Sequence, residues 1–123
     1  MSVLNKINVA IIGATGFTGL DLINIISKHP KVKLTYLCAT KNIGKKISLF
    51  DKRIKKNLPK ISPVNKIKWE NLDLIFLSLP NGEAQKIIKK TFNKYKKLKY
   101  IDLSADFRII DHNIYSKNYK IKH

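Results

Sequence analysis

The fold of this chain is decided by the stretch Gly13-Ala14-Thr15-Gly16-Phe17-Thr18-Gly19. The stretch follows an apolar run, Val9-Ala10-Ile11-Ile12, and it opens a segment whose apolar residues have helical spacing. A buried strand, a glycine-rich turn and a helix, in this order, form a cradle for a pyrophosphate group. The N–H groups at the start of such a helix and its positive dipole end attract the phosphates. The stretch therefore predicts a nucleotide-binding site.

The glycines of this stretch are expected to have different roles. Gly13 permits the tight turn, Gly16 lets the backbone approach the phosphates, and Gly19 lets the helix pack closely on the strand. Their spacing, GxxGxxG in place of GxGxxG, is a variant associated with NADP-binding reductases. The predicted cofactor site also includes residues between the glycines, namely Thr15, Phe17 and Thr18.

Strands and helices are predicted to alternate along the rest of the chain. Apolar runs and alternating apolar residues predict strands at residues 7–12, 32–38, 73–79 and 100–103. One helix follows the glycines and stops before Pro30, and a second begins at Glu83. The alternation predicts an α/β fold, a Rossmann-like, doubly wound, mainly parallel sheet with helices on both faces. We interpret residues 1–123 as one NADP-binding domain and as the amino-terminal part of a larger protein.

Residues 44–71 are the segment with the weakest pattern. They are basic and are interrupted by glycine and proline, so we predict a surface excursion with a short helix near residues 47–50. Spacing in the first helix predicts an apolar face of Leu20, Leu22, Ile23, Ile25 and Ile26. Spacing in the second helix predicts an inward face of Ala84, Ile87, Ile88, Phe92 and Tyr95.

The formal charge of +17 raises the question of a nucleic-acid partner. Of the 25 basic residues only Arg53 and Arg108 are arginine, which leaves 23 lysines spread along the chain. Proteins that read bases rely on arginine for bidentate contacts. We therefore predict lysines that solvate the surface, weak adhesion to polyanions and no specific nucleic-acid partner.

Cysteine usage and hydropathy predict a cytoplasmic protein with no membrane association. Cys38 is the only cysteine, so no disulfide can form within the chain, which fits a reducing compartment. The amino terminus does not have the pattern of a signal peptide. No apolar run approaches the roughly 20 residues that a membrane span needs. No metal site is predicted either.

The residues after the second strand indicate which dinucleotide binds. An NAD site usually places an acid there for the ribose 2′-hydroxyl, whereas this chain has no acid between Cys38 and Asp51. Thr40 can hydrogen-bond a 2′-phosphate and Lys41 can neutralise it, so we predict NADP(H). The predicted site also contains Lys45 and, after the third predicted strand, Ser78, Pro80 and Gly82.

Polar groups also follow the last predicted strand, in the run Asp102-Leu103-Ser104-Ala105-Asp106-Phe107-Arg108. We assign Ser104 and Arg108 to a substrate site, because ligands bind at the carboxyl ends of parallel strands. Asp102 and Asp106 can be read as a catalytic carboxylate pair, or as helix caps and partners for Arg108.

Four stretches, in order and at suitable spacing, carry a resemblance to a known family. They are Gly13 to Gly19, His29-Pro30, Leu79-Pro80-Asn81-Gly82 and the run from Asp102 to Arg108. Together they resemble the amino-terminal part of N-acetyl-gamma-glutamyl-phosphate reductase, in the semialdehyde dehydrogenase superfamily. Gly44-Lys45 resembles the Ala-Gly-Lys of this family, whereas Asn81 and Lys120 replace its usual histidine and glycine.

The resemblance implies NADPH-dependent reduction of N-acetyl-gamma-glutamyl phosphate to the semialdehyde, in arginine biosynthesis. In this family a cysteine thiolate attacks the acyl phosphate and hydride reduces the resulting thioester. The nucleophile, the histidine base and most of the substrate domain correspond to positions beyond His123. The resemblance thus implies no catalytic residue within this chain, an inactive chain by itself, and a homo-oligomer for the full-length enzyme.

Two other interpretations stay open from the sequence. One is a non-catalytic module that senses NADP. The other is the cofactor part of an aspartate-semialdehyde dehydrogenase, which shares the glycine motif and the chemistry. The run from Ser104 to Arg108 favours the reductase over the dehydrogenase. Cys38 is expected to be a small buried residue near the adenosine side of the site, and not a substitute nucleophile.

Overall fold

A computed structural model describes residues 6–80 and 82–103 of the chain. In chain order the elements are β1 (Ile7–Ile12), α1 (Phe17–Ile26), β2 (Val32–Cys38), β3 (Ile61–Ser62), β4 (Leu74–Leu77), α2 (Glu83–Thr91) and β5 (Lys99–Asp102). Short 3₁₀ helices lie at Ile47–Leu49, Val64–Lys66 and Trp69–Asn71. Within these described ranges, no helix has the length and apolar character that crossing a membrane requires.

The five strands form one parallel sheet in the order β3-β2-β1-β4-β5. The chain leaves β1 toward β2 and β3, then returns to the other side of β1 for β4 and β5. The strand order therefore reverses between β1 and β4, and such reversal points are where open α/β sheets bind ligands. The predicted fold class is confirmed.

Helices cover both faces of the sheet. Val9 and Ile11 point to the face covered by α1, while Ala10 and Ile12 point to the face covered by α2. All four are at most 1% exposed, because β1 is buried on both sides, and this explains its continuous apolar sequence. Helix α1 contributes Leu20, Leu22, Ile23 and Ile26 to its side, and α2 contributes Ala84, Ile87 and Ile88 to the other.

The predicted surface excursion at residues 44–71 is wrong in part. Ile61 and Ser62 pair with the end of β2 and add an edge strand to the sheet. Three isoleucines of the segment join the core on the α1 side, and these are Ile47, Ile54 and Ile61. Ile54 and Ile61 stand alone among polar residues, so they produce no periodicity that predicts a strand or a helix. The predicted short helix is present as the 3₁₀ turn at Ile47–Leu49.

An exposed ion cluster joins this segment to α1. The Arg53 guanidinium contacts carboxylate oxygens of Asp21 on α1 and of Asp51 in its own segment, both at 2.6 Å. The hydrogen bonds from Arg53 hold the pKa of Asp51 below its ordinary value. One of the two arginines of the chain is thus held in an ion cluster with two carboxylates.

The predicted inward face of α2 is also corrected at its end. Helix α2 stops at Thr91, and Phe92, which was predicted inward, is 58% exposed. Thr91 is buried instead. Burial of its hydroxyl is tolerated because the hydroxyl has two hydrogen-bond partners, the Ile87 carbonyl oxygen at 2.8 Å and the Tyr100 hydroxyl at 2.6 Å. In α1 the predicted apolar residue Ile25 is likewise exposed.

The pair of buried hydroxyls predicts a measurable coupling. Thr91→Val leaves the Tyr100 hydroxyl without this partner inside the core, so we expect a loss of about 1–3 kcal/mol in the free energy of unfolding. Adding Tyr100→Phe removes the orphaned hydroxyl and restores part of the loss. Urea unfolding of both single variants and the double variant measures this. Fully additive losses would contradict a direct bond between the two side chains.

Candidate active-site cleft

A cleft of about 470 Å³ opens at the carboxyl edge of the sheet, between the ends of β1, β2 and β4. It therefore lies at the reversal of strand order. Its lining among the described residues comes from five parts of the chain: the turn after β1, the loop after β2, the 3₁₀ turn Val64–Lys66, the end of β4 and helix α2. These residues are Ile12, Gly13, Thr15, Gly16, Ala39, Thr40, Lys41, Asn42, Val64, Ser78, Leu79, Pro80, Glu83 and Ile87.

The turn between β1 and α1 is packed tightly against the end of β4. Gly13 has φ +91°, a conformation that residues with a side chain rarely adopt. A Cβ atom at Gly13 would also overlap the backbone carbonyl of Ser78. The N–H groups of Gly13 and Ala14 both donate to the carbonyl oxygen of Cys38, at 2.9 Å each. The predicted role of Gly13 in a tight turn is confirmed.

Gly19 performs the packing role predicted for it. It is buried in α1, and a Cβ atom there would overlap the carbonyl oxygen of Gly13 and lie 3.0 Å from that of Ala14. The absence of a side chain lets the first turn of α1 rest directly on the turn that follows β1. This contact aims the amino end of α1 at the cleft.

Gly16 differs from the other two glycines in having free space around it. It is the N-cap of α1 at φ −75° and ψ 167°, a backbone conformation open to any residue. The nearest atom to an added Cβ is the Gly13 carbonyl oxygen at 3.7 Å, an ordinary contact. Within the described residues, no side chain caps α1 and no acid occupies its first turn, so its first N–H groups suit a phosphate. Close approach of phosphate at Gly16 stays a prediction.

The loop after β2 lines the cleft beside the glycine turn. Thr40, Lys41 and Asn42 line the cleft, and no acid from this loop does. Asn42 adopts the left-handed conformation (φ 63°), and its carbonyl oxygen accepts a hydrogen bond from Lys45 N–H at 3.1 Å. This reversal places Thr40 and Lys41 along the cleft while Lys45 is outside its lining.

The structure brings together seven of the predicted cofactor residues, Gly13, Thr15, Gly16, Thr40, Lys41, Ser78 and Pro80. It leaves five outside the lining, Phe17, Thr18, Gly19, Lys45 and Gly82. Phe17 is 91% exposed on the first turn of α1. Gly82 supports the start of α2 with φ +86°. The predicted substrate residues Ser104 and Arg108 lie outside the described residues.

The sequence analysis missed part of the lining. Glu83 and Ile87 stand four residues apart on α2 and share a face, a spacing that could have placed both beside the cleft. Val64 comes from the 3₁₀ turn Val64–Lys66, in the segment that had no readable pattern. Leu79 follows β4 directly, so its position at a strand end was available from the sequence.

Cys38 does not belong to the cleft. Its side chain is fully buried at the end of β2, with Sγ 3.8 Å from the Ser62 hydroxyl. Burial raises the pKa of the thiol to about 11, against a smaller opposite effect of the Ser62 hydrogen bond. A thiol that is buried and protonated is a poor nucleophile, so the expected structural role of Cys38 agrees with its surroundings.

Among the described residues that line the cleft, Lys41 is the one cationic side chain and Glu83 is the one anionic side chain. In the described part of the chain, no three His, Cys, Asp or Glu side chains come together in a way that could hold a metal ion. The arrangement instead offers backbone N–H groups, a hydroxyl and an ammonium group on one side and apolar side chains on the other. This combination suits a phosphorylated nucleoside.

Comparison with known families agrees with this geometry. Residues 8–117 match the family described as "Semialdehyde dehydrogenase, NAD binding domain". The chain belongs to this family. This membership confirms the expected relation to the semialdehyde dehydrogenases and an NAD(P)-type cofactor.

The chain is similar in sequence to N-acetyl-gamma-glutamyl-phosphate reductases. It is 43% identical over 116 residues to the protein of Ehrlichia ruminantium (strain Gardel), covering 93% of this chain and 33% of that protein. It is 34% identical over 121 residues to the protein of Afipia carboxidovorans, covering 96% and 34%. The resemblance named from the sequence is confirmed, and the chain spans about a third of the length of these relatives.

Solved structures of aspartate semialdehyde dehydrogenases share the fold. The Vibrio cholerae enzyme II, complexed with ASA, aligns with a TM-score of 0.65 at 21% identity, over 88% of this chain and 30% of that one. The Candida albicans enzyme with NADP aligns with a TM-score of 0.63 at 22% identity, over 85% and 31%. These similarities confirm the Rossmann-like fold of this semialdehyde dehydrogenase domain.

The glycines predict a graded mutational series. Gly13→Ala and Gly19→Ala force a Cβ atom into backbone carbonyls, so each is expected to lower the free energy of unfolding by on the order of 3 kcal/mol or more. Gly16→Ala has room and serves as the matched control, with a change below about 1 kcal/mol. Thermal unfolding by circular dichroism measures all three. Equal losses at Gly13 and Gly16 would contradict the packing described here.

Because the Cys38 thiol is buried, we expect slow alkylation of this residue in the folded chain. At pH 8, Cys38 in the folded chain is expected to react with iodoacetamide at least 100-fold more slowly than in the urea-unfolded chain, since it is buried and protonated. Folding raises its pKa from 9.0 to about 11, so stability falls as the pH rises through this range. Mass spectrometry of the alkylated chain gives the rates. Comparable rates in both states would show that the thiol is accessible.

Proposed function

We propose that this chain is the cofactor-binding part of an NADPH-dependent reductase that converts N-acetyl-gamma-glutamyl phosphate to the corresponding semialdehyde. The observation that carries the proposal is the cleft over the glycine turn, at the reversal of strand order and with Lys41 and no acid at the β2 end. The substrate is inferred from the relatives of 34–43% identity, whose names include this acyl phosphate.

The residues of the cleft fit an NADP-type dinucleotide. The open amino end of α1, between Thr15 and Gly16, would hold the pyrophosphate with backbone N–H groups. The Thr40 hydroxyl and the Lys41 ammonium group would hold the 2′-phosphate of the adenosine ribose. When bound, the cofactor supplies hydride, and the chain's own residues bind and orient it.

Preference for NADP over NAD follows from charge at the β2 end. An acid there would accept a hydrogen bond from the 2′-hydroxyl of NAD and would repel a 2′-phosphate. Ala39, Thr40, Lys41 and Asn42 provide no such acid. Lys41 adds attraction for the dianion, which salt weakens because the cleft is open to solvent.

The surroundings of Cys38 support the proposal that this chain binds the cofactor but does not supply the nucleophile. A reductase of this chemistry needs a thiolate that can reach an acyl carbonyl, and Cys38 is buried outside the cleft with a raised pKa. The chain therefore holds cofactor without supplying the nucleophile. Ser104 and Arg108 remain proposed contacts for the anionic substrate, in the specific run that follows β5.

The aspartate semialdehyde dehydrogenase alternative is less well supported. Its solved structures share the fold at 21–22% identity, whereas the reductases reach 34–43% in sequence. The alternative of an NADP sensor has the same cleft as its basis. The test is to measure turnover of N-acetyl-gamma-glutamyl phosphate by the enzyme that contains this domain. Turnover would favour the reductase over both the sensor and the dehydrogenase.

A charge reversal tests the cofactor assignment. Lys41→Glu is expected to weaken NADPH binding by tenfold or more and to change NADH binding by less than threefold, because only NADPH carries the 2′-phosphate. Isothermal titration calorimetry at two salt concentrations measures both. The matched control is Lys97→Glu, an exposed lysine just before β5, at the opposite end of the strand from the cleft.

Two results would contradict the assignment. Equal wild-type affinity for NADPH and NADH would remove the basis for an NADP preference. Equal weakening by Lys41→Glu and Lys97→Glu, together with loss of all binding at high salt, would show that a chain of net charge +17 attracts polyphosphates non-specifically.

A further inference from the structure

One side of the cleft is apolar. Val64, Leu79 and Ile87 line it and pack against the core on the α2 side of the sheet. The phosphate-binding features, the amino end of α1 and the loop after β2, lie on the other side. A flat aromatic base attached to the ribose fits an apolar wall, because stacking there removes its faces from water. The apolar wall would therefore suit the base of the dinucleotide.

Glu83 stands beside this wall. It is the first residue of α2, four residues before Ile87, so the two side chains share one face of the helix. Both line the cleft, and among the described lining residues Glu83 is the sole carboxylate. Within the described residues it forms an ion pair with Lys86 at 3.6 Å. Both side chains are exposed, and pairs of this kind hold a side chain weakly.

The presence of the negatively charged Glu83 in a cleft proposed to bind a negatively charged dinucleotide requires a physical explanation. Glu83 repels phosphates, so a favourable role requires a donor on the uncharged part of the ligand. An ionised carboxylate only accepts hydrogen bonds. Adenine carries one exocyclic amino group, at position 6, and this group is a donor.

We propose that Glu83 determines base specificity, accepting a hydrogen bond from the 6-amino group of the adenine in the bound dinucleotide. A 6-oxo purine in the same place would set a carbonyl oxygen against the carboxylate, two acceptors with no proton between them. Sites that hydrogen-bond a ligand group reject an analogue that lacks it, since their own polar group is left unpaired. The inference rests on the proposed cofactor binding and deepens it.

The test compares NADPH with its hypoxanthine analogue, in which a 6-oxo group replaces the 6-amino group. The wild-type chain is expected to bind NADPH about tenfold more tightly than the analogue, the effect of one charged hydrogen bond. Glu83→Ala is expected to bring this ratio close to one through weaker NADPH binding. Glu83→Gln is expected to do so through stronger analogue binding, because an amide can donate to the 6-oxo group.

The test uses the ratio of the affinities for NADPH and for its hypoxanthine analogue. General electrostatic effects, including the release of Lys86 from Glu83, change both affinities alike and leave this ratio unchanged. Glu70→Ala is the matched control, since Glu70 lies in the 3₁₀ turn Trp69–Asn71 outside the cleft, and its ratio stays at the wild-type value. A wild-type ratio near one, or an unchanged ratio in Glu83→Ala, would overturn the inference alone. No NADPH binding by the wild-type chain would overturn the proposed function as well.

Discussion

The structure depends on the close contact of the glycine turn with the backbone around it. The turn after β1 contacts the end of β4 at Ser78 and the first turn of α1 at Gly19, and it is hydrogen-bonded to the end of β2 at Cys38. The ends of β1, β2 and β4 and the start of α1 therefore meet at this turn, where a Cβ atom at Gly13 or Gly19 would overlap neighbouring backbone atoms. Gly13 and Gly16 of this turn line the cleft, so this part of the cleft is held in place by backbone contacts.

Recognition in the cleft is divided between backbone and side chains. The amino end of α1 offers dipole and N–H groups to phosphate, which any phosphorylated nucleotide would satisfy. In the proposed function, discrimination comes from Lys41 and Thr40 in the loop after β2 and from the apolar wall with Glu83. This division matters in a chain of net charge +17, where attraction of anions alone carries little information.

The proposed cofactor cleft and the buried thiol of Cys38 are separate in this chain. Cys38 is covered by the sheet edge at β3, where Ser62 contacts its sulfur, and desolvation opposes its ionisation. The short strand β3 has a second consequence, because it continues into the 3₁₀ turn that carries Val64 to the cleft. One basic and unpatterned segment thus shields the thiol and completes the apolar wall.

The sequence by itself determined the strand–turn–helix unit, the parallel sheet, the family and the absence of an acid after β2, because each is a local pattern of period or spacing. Only the tertiary structure decided the edge strand β3, the burial of Thr91 instead of Phe92, and the meeting of Val64, Glu83 and Ile87 with the loop after β2. These depend on contacts between residues far apart in the chain. A lone isoleucine or an exposed glutamate carries no local signal of its partners, so the fold must bring them together before their roles can be read.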